Sequence, residues 1–528
     1  MRILVFHGYL LRGTGSNVYT ALLATALARQ GHEVHLLCQE RRPEDVEAVT
    51  AAADWDGGRL EVRPLRDPAP GCAPITTYRP NLGGVLPVYV ADRYEGVEAR
   101  PFTELDDAAV AGYVERNVAA VREVAARVAP DVALANHLIM GPLILARALG
   151  GDVPYAVKVH GSALEYTVKV DPARFLPAAR EGLAGARTVL VGSRHTAESL
   201  WAAVGDPELA ARTRLGPPGV DVALFRPRAH GEATADLHGL AGELQRRADA
   251  APAAADGAAA SAFSRDAGEA ARALRAVDAG ADRHVAFVGK LIVSKGVDLL
   301  AAAWPLVLAA VPDARLLVVG FGAYREPLEA LLAALAAGDL DAVRRMAEAG
   351  RAAEGGPRAP LRHLLAFLDD LEESADRDVY LGAARALPDR VLLTGRLEHD
   401  ELAPLLALCE AQVVPSTFPE AFGMVAAEAA ACGTLPVVAD HSGLAEVRAI
   451  LAAALPEQVR PWLAFERGPR AVRDLADRLI AWLTAPADLR DATRAALVAT
   501  ARERFAWEGV ARDVLAAAEG RHADLPEP

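Results

Sequence analysis

Glu420 and Glu428 stand eight residues apart in Pro419-Glu420-Ala421-Phe422-Gly423-Met424-Val425-Ala426-Ala427-Glu428. Taken alone, the pair suggests the two-carboxylate acid–base dyad that flanks a scissile bond. The plainer alternative is a loop acid followed by a solvated helix residue. The neighbouring sequence bears on the choice. Glu428 falls on an Ala-rich, apolar stretch, where a carboxylate buried without a partner costs free energy.

A second cluster is cationic. Lys and Arg total 56, and four of these are lysines: Lys158, Lys169, Lys290 and Lys295. Two share the short segment Gly289-Lys290-Leu291-Ile292-Val293-Ser294-Lys295-Gly296. A compact ammonium on a flexible stem suits a point contact to phosphate. Lys290 and Lys295 could bracket a diphosphate, with the amides of Gly423 and Met424 at a helix start donating to the same anion. Such a set would stabilise a departing nucleotide without a metal. The alternative is two surface lysines at a strand–helix junction. His160 follows the apolar run Tyr155 to Val159. It could hydrogen-bond a substrate hydroxyl, or it could simply cap loop backbone.

Other motifs carry less. Gly13-Thr14-Gly15-Ser16-Asn17-Val18 resembles a dinucleotide fingerprint, with Glu40 as a ribose acid, but Val18 stands where the third glycine belongs. An anion-binding or close-approach loop at Gly13, Gly15 and Asn17 is the more modest reading. The Asp-x-Asp strings at Asp54, Asp339 and Asp376 follow no convincing buried strand, so no metal site is expected.

These residues need elements to hold them. Apolar runs alternate with helical patterns, which indicates parallel sheets flanked by helices, an α/β fold. Ile3–His7, Val34–Cys38, Val132–Asn136, Tyr155–Val159 and Val189–Gly192 read as strands. So do Val285–Gly289, Leu316–Gly320, Val391–Gly395, Gln412–Pro415 and Leu435–Ala439. Asn17 is the expected cap of a helix to Gln30, and Phe422–Cys432 reads as a helix stopped by Gly433. Candidate site residues follow predicted strands: Asn136-His137, His160-Gly161-Ser162, Ser193-Arg194, Gly320-Phe321-Gly322, Gly395-Arg396-Leu397, Ser416 to Glu420, and Asp440-His441-Ser442-Gly443. Open α/β sheets bind ligands there, and two such domains would face a cleft.

Length and composition set the frame. The 528 residues, 52% hydrophobic, allow more than one core. The expected organisation is a domain over 1–227, an Ala-rich, partly helical and partly disordered linker over 228–282, and a second domain over 283–506. The second domain carries a helical insertion at about 333–388, and a final helix and tail occupy 507–528. A net charge of −14 with no basic tail disfavours nucleic-acid binding. Four scattered cysteines argue against a disulfide framework. No run is long and apolar enough to span a bilayer, and the chain reads as cytoplasmic.

With these residues in place, the chain resembles the retaining GT-B glycosyltransferases of the family 4 type. The resemblance rests on Gly289-Lys290…Lys295-Gly296, Val318-Val319-Gly320-Phe321-Gly322, Glu420-Ala421-Phe422-Gly423-Met424…Glu428 and the hinge-like Gly219-Val220-Asp221…Phe225-Arg226-Pro227. It implies two Rossmann-like doubly wound domains facing a cleft. It implies transfer of a sugar from a nucleotide sugar, a UDP-sugar being favoured, to a hydroxyl acceptor, with no cofactor and no metal. Glu420 would contact the donor sugar and Glu428 the ribose. Lys290 and Lys295 would hold the diphosphate, and His160 would lie beside the sugar. Gly289, Arg396, Leu397, Phe422, Gly423, Met424 and Val425 would complete the donor site. Gly13, Gly15 and Asn17 would form a phosphate or acceptor loop. Catalysis would fall to His160, Glu420 and Lys295. Asp440-His441-Ser442-Gly443 departs from the Gly-Gly usual in its loop. The rival readings are a nicotinamide dehydrogenase, a non-catalytic glycosyltransferase-like subunit and a nucleotide-sugar epimerase.

Overall fold

The structure is a computed structural model that describes every residue except 14, 90–96, 251–265, 278–279 and 281. Of 228–282, read as partly helical and partly disordered, residues 251–265, 278–279 and 281 lie outside the described residues, and the rest includes the helices His230–Ala250 and Ala267–Arg275. The chain divides into two compact units, Met1–Gly219 with Phe505–Pro528, and Val220–Arg504.

The first unit is built on a nine-stranded sheet. Its strands run in the spatial order Thr213–Leu215, Thr188–Val191, Tyr155–Val159, Val132–Asn136, Arg2–Phe6, Glu33–Leu37, Ile75–Pro80, Ala51–Trp55 and Arg63–Pro64. All neighbours are parallel except the last pair. Leu4, Val5, Leu134, Val157 and Leu190 are fully buried, as strands covered on both faces require. The final helix, Trp507–Ala518, belongs to this unit. Its Trp507, Val510, Val514 and Leu515 pack with Ile3, Val5, Leu23, Leu27 and Val34.

The second unit holds a six-stranded, wholly parallel sheet. The order is Val391–Gly395, Ala314–Val319, Arg283–Val288, Ala411–Val414, Leu435–Ala439 and Ala464–Phe465. Sequence order runs outward in opposite directions from the adjacent strands Arg283–Val288 and Ala411–Val414. The topology therefore reverses between those two, and open α/β sheets bind ligands beyond the carboxyl ends of such a pair.

The helical insertion expected at about 333–388 is present as Leu340–Ala349, Arg362–Glu373, Arg377–Ala384 and Leu387–Arg390, with a 3-10 turn at Arg351–Glu354. It has its own apolar faces, with Val343, Leu364, Phe367, Leu371 and Tyr380 buried. Burial of each such large side chain contributes about 1.5–3 kcal/mol. The Tyr380 hydroxyl donates to the Ala302 carbonyl at 3.0 Å, tying the insertion to the helix Val297–Ala310.

Two helix starts differ from expectation. The first helix begins at Gly15, so Asn17 lies inside its first turn and is not its cap. Its side chain turns inward, where Nδ2 donates to the Arg12 carbonyl at 2.7 Å and Oδ1 meets His7 Nε2 at 3.0 Å. The helix after Glu420 spans Met424–Cys432 and not Phe422–Cys432. Gly423 takes φ 133°, which breaks the helical path, and Phe422 is buried ahead of it.

Candidate active site

The topological reversal in the second unit places two loops side by side. One follows Arg283–Val288 and carries Gly289, Lys290 and Lys295. The other follows Ala411–Val414 and carries Ser416 to Glu420. Backbone bonds join them, from Thr417 N to Ser294 O at 2.9 Å. Gly296 sits at φ 69°, and a Cβ there would lie 1.9 Å from the Pro415 carbonyl oxygen. Only glycine fits that approach.

This arrangement brings Lys295 Nζ to Glu420 Oε1 at 2.5 Å. Ser416 Oγ donates to the same oxygen at 2.6 Å. Burial pushes the Glu420 carboxyl up, but the Lys295 charge and these hydrogen bonds outweigh it, and the net direction is down. Glu420 is thus held ionised. Its backbone is fixed from the next loop, where Glu420 N donates to Ser442 Oγ at 2.9 Å and Gly443 N donates to Glu420 O at 3.0 Å. His441 Nε2 lies 2.7 Å from the Ser416 carbonyl, which it can reach only as a donor. A Cβ on Gly443 would lie 2.5 Å from Phe422 Cα, which explains that glycine by close approach. Ser442, standing in the loop where the resemblance leads one to expect glycine, adopts φ 50°, the left-handed region glycine favours. Its hydroxyl replaces conformational ease with a bond to Glu420.

Gly423, Met424 and Val425 lead into the helix Met424–Cys432, and its first internal bond runs from Ala426 N to Gly423 O at 3.0 Å. The amides of Met424 and Val425 precede that bond, and the positive end of the helix follows Glu420 by four residues along the chain.

Glu428, on the same helix, is 2% exposed. It is not the solvated helix residue of the plainer reading. Its Oε1 meets His399 Nε2 at 2.7 Å. Burial pulls the His399 pKa down, the Glu428 charge raises it, and the net shift is upward. Phe225 covers the His399 ring at 4.9 Å between centroids. His399 begins the helix His399–Leu408, which a reciprocal Glu398–Glu401 capping box fixes. Sequence reasoning stopped at Leu397 and missed it, although that Glu-x-x-Glu spacing marks a helix start. Arg396 lies over the Phe321 ring at 5.6 Å and pairs with Glu398 at 3.0 Å, while Leu397 is buried. Lys290 is half-buried, and its carbonyl accepts from Ile292 N at 3.1 Å.

The first unit gathers a separate polar cluster. His160 Nε2 lies 2.9 Å from Asn136 Oδ1, and Asn136 Nδ2 donates to Thr20 Oγ1 at 3.0 Å. With Asn136 oriented this way, Nε2 carries the proton and Nδ1 is left as an acceptor. Burial, then the neighbouring His137 and Lys158, hold the His160 pKa well below the usual histidine range, so the ring is neutral. His137 is buried at φ 69° with neither ring nitrogen hydrogen-bonded, and its ring is 4.9 Å from that of His160. Gly13 has φ 97°, and a Cβ on Gly15 would meet nothing within 4 Å. Glu40 does not present itself to a ribose. It is buried, accepts from Leu11 N at 3.2 Å and pairs with Arg12 at 3.2 Å, bracing the loop that leads to Gly13.

The Asp-x-Asp strings have protein partners. Asp54 pairs with Arg79 at 2.6 Å, Asp339 caps the helix Leu340–Ala349, and Asp376 pairs with Arg473 at 2.8 Å. Among the described residues, no group of three or more His, Cys, Asp or Glu is gathered as a metal site, and no helix is long and apolar enough to cross a membrane.

Residues 13–224 match the family described as Glycosyltransferase Family 4, and residues 372–496 match Glycosyl transferases group 1. The chain is a GT-B glycosyltransferase. No curated protein matches it. Several solved structures share the fold of this glycosyltransferase over nearly the full length of both chains. Sucrose-phosphate synthase from Thermosynechococcus elongatus is 20% identical, covers 99% of each chain and has a TM-score of 0.55. HepE from Anabaena, in complex with UDP and glucose, is 16% identical over 98% of this chain and 99% of its own, with a TM-score of 0.54. An alpha,alpha-trehalose-phosphate synthase (UDP-forming) from Burkholderia vietnamiensis is 15% identical over 99% of this chain and 100% of its own, with a TM-score of 0.53.

Proposed function

We propose that this glycosyltransferase moves a sugar from a UDP-sugar to a hydroxyl acceptor with retention of anomeric configuration and without a metal. The observation that carries the reading is the meeting of Lys295, Glu420 and Ser416 at the topological reversal of the second unit, with the helix Met424–Cys432 beginning four residues after Glu420. An ammonium has three N–H donors, so Lys295 can keep Glu420 and still donate to a phosphate oxygen. Lys290 and the helix start add positive charge where a diphosphate departs. Glu420, held ionised, accepts from a donor-sugar hydroxyl. Glu428, fixed by His399, accepts from the ribose. The UDP complex of HepE and the UDP-forming synthase among the fold relatives support uridine as the donor's nucleoside.

In the proposed reaction the bond from the anomeric carbon to the diphosphate oxygen lengthens toward an oxocarbenium-like state. The acceptor oxygen bonds the same face of that carbon, and its proton passes to the departing diphosphate. Charge on the diphosphate is met by Lys290, Lys295 and the helix amides. His160, neutral and fixed by Asn136, is the proposed histidine of the transfer step. No covalent intermediate on Glu420 is invoked: Lys295 and Ser416 hold its Oε1, and its role is to accept from the sugar.

The test is product analysis by NMR with a UDP-α-sugar and a panel of hydroxyl acceptors, with and without EDTA. The expected product is α-linked, formed at the same rate in the chelator. A β-linked product, a trapped glycosyl–Glu420 adduct or loss of turnover in EDTA contradicts the proposal. Free epimerised sugar formed without an acceptor favours an epimerase instead.

A further inference from the structure

Three segments from elsewhere in the second unit grip the loop that presents Lys290 and Lys295. Leu291 N donates to Phe321 O at 2.7 Å, and Tyr324 N donates to Leu291 O at 2.9 Å. Thr417 N donates to Ser294 O at 2.9 Å. These two grips are backbone to backbone and come from loops at neighbouring strand ends. The third is different. Val293 N donates to Glu354 Oε2 at 2.7 Å, and Glu354 belongs to the helical insertion.

Val293 opens the 3-10 turn Val293–Lys295, and its preceding residue, Ile292, has no side chain able to cap it. Glu354 supplies the cap from 61 residues away. Its side chain is 10% exposed, and its other oxygen meets Arg351 Nε at 3.2 Å. The turn that carries it is closed by Arg351 N to Ala359 O at 3.1 Å and Gly356 N to Arg351 O at 3.0 Å. The carboxylate is therefore held in place before it reaches Val293. Two residues after Val293, Lys295 makes its 2.5 Å contact with Glu420.

We propose that Glu354 is a positioning residue for sugar transfer, through which the insertion fixes the turn that aims Lys295 at Glu420 and the donor diphosphate. The inference rests on the donor-site reading above. It gives the insertion a role in donor binding, not only in packing. The useful chemistry of Glu354 is its acceptor oxygen at this reach. Its negative charge, close to a diphosphate site, is a cost to anion binding.

The side chain's length and charge separate under substitution. Glu354→Gln keeps an acceptor oxygen at the same reach and removes the charge. Glu354→Asp keeps the charge but withdraws the oxygen by one methylene. Glu354→Ala removes both. UDP binding to the full chain, measured by calorimetric titration, is expected to weaken at least fivefold in Glu354→Ala and Glu354→Asp. In Glu354→Gln it is expected to stay within twofold of the parent or to tighten. In a Lys295→Ala background, Glu354→Ala is expected to change affinity less than twofold, because the two act in series. Unchanged binding in Glu354→Ala and Glu354→Asp, or Glu354→Gln as weak as Glu354→Ala, overturns the inference and leaves the donor site standing. An equal loss in the Lys295→Ala background overturns the route through Lys295. A parent protein that binds no nucleotide overturns the donor-site reading and this inference together.

Discussion

The two glutamates that open the sequence argument are set apart by their partners. Glu420 answers to a lysine and a serine, Glu428 to a histidine, and both follow one strand, Ala411–Val414, of one sheet. A hydrolytic dyad would place its two acids on opposite sides of the bond to be broken. Here each acid is oriented separately by its own neighbour. The His399–Glu428 pair makes this measurable. With its folded pKa raised, His399 contributes stability that is fully present below its unfolded value near 6.5 and is lost as pH rises through the folded value. An NMR titration is expected to place the His399 midpoint above 6.5 in the parent protein. In Glu428→Gln it is expected to fall, since burial is then opposed only by the weaker charges of Asp400 and Asp221. A midpoint unmoved by the substitution contradicts the pairing. Glu420, Lys295 and His160 were legible as candidates because each follows a predicted strand, and Glu428 because it is a carboxylate on the apolar helix after Glu420. His399 and Glu354 were not. Each meets its partner across a long sequence separation, 29 residues for His399 and 61 for Glu354, and pairing of that kind is decided by the fold.

At the scale of elements, the site is a consequence of where two parallel strands leave the sheet. Arg283–Val288 and Ala411–Val414 are neighbours, so their following loops must touch, and Gly296 against Pro415 is the point of closest approach. Gly296→Ala tests how much depends on it. The left-handed backbone and the clash together are expected to cost about 2–4 kcal/mol of stability, read as a lowered urea midpoint. Gly338→Ala is the comparison, at φ 73° with its nearest neighbour, Leu381, 3.7 Å away, and should cost about 1 kcal/mol. Equal costs at both positions would remove the close approach as a constraint. Strands such as Val132–Asn136 and Leu435–Ala439 were readable because sheets covered on both faces need near-continuous apolar runs. Ala51–Trp55 and Ile75–Pro80 were not. Ala51–Trp55 carries Ala-Ala-Ala-Asp, with little strand preference, and Ile75–Pro80 carries Thr-Thr-Tyr-Arg in place of an apolar run; Ile75–Pro80 pairs with Glu33–Leu37, and Ala51–Trp55 pairs with Ile75–Pro80. Asn17 misled in the opposite direction. Its type fits a helix cap, but the polar cluster around His7 and Thr20 claims its side chain.

At the scale of the whole chain, two units of one architecture carry different polar equipment. The second has Lys290 and Lys295, an ionised Glu420 and a half-buried helix start suited to an anionic, hydroxyl-rich donor. The first has neutral, buried histidines and amides around His160. The chain's ends join the first unit, since the final helix buries Trp507 against Tyr19 at 5.4 Å between ring centroids. The central claim is that the second unit binds a nucleotide diphosphate between Lys295 and the helix after Glu420. Calorimetric titration of UDP into the parent protein, Lys295→Ala and Glu428→Gln tests it most directly. The account predicts binding to the parent and at least tenfold weaker binding to each variant, with circular dichroism unchanged. A parent that binds no UDP, or variants that bind it as the parent does, contradicts the account.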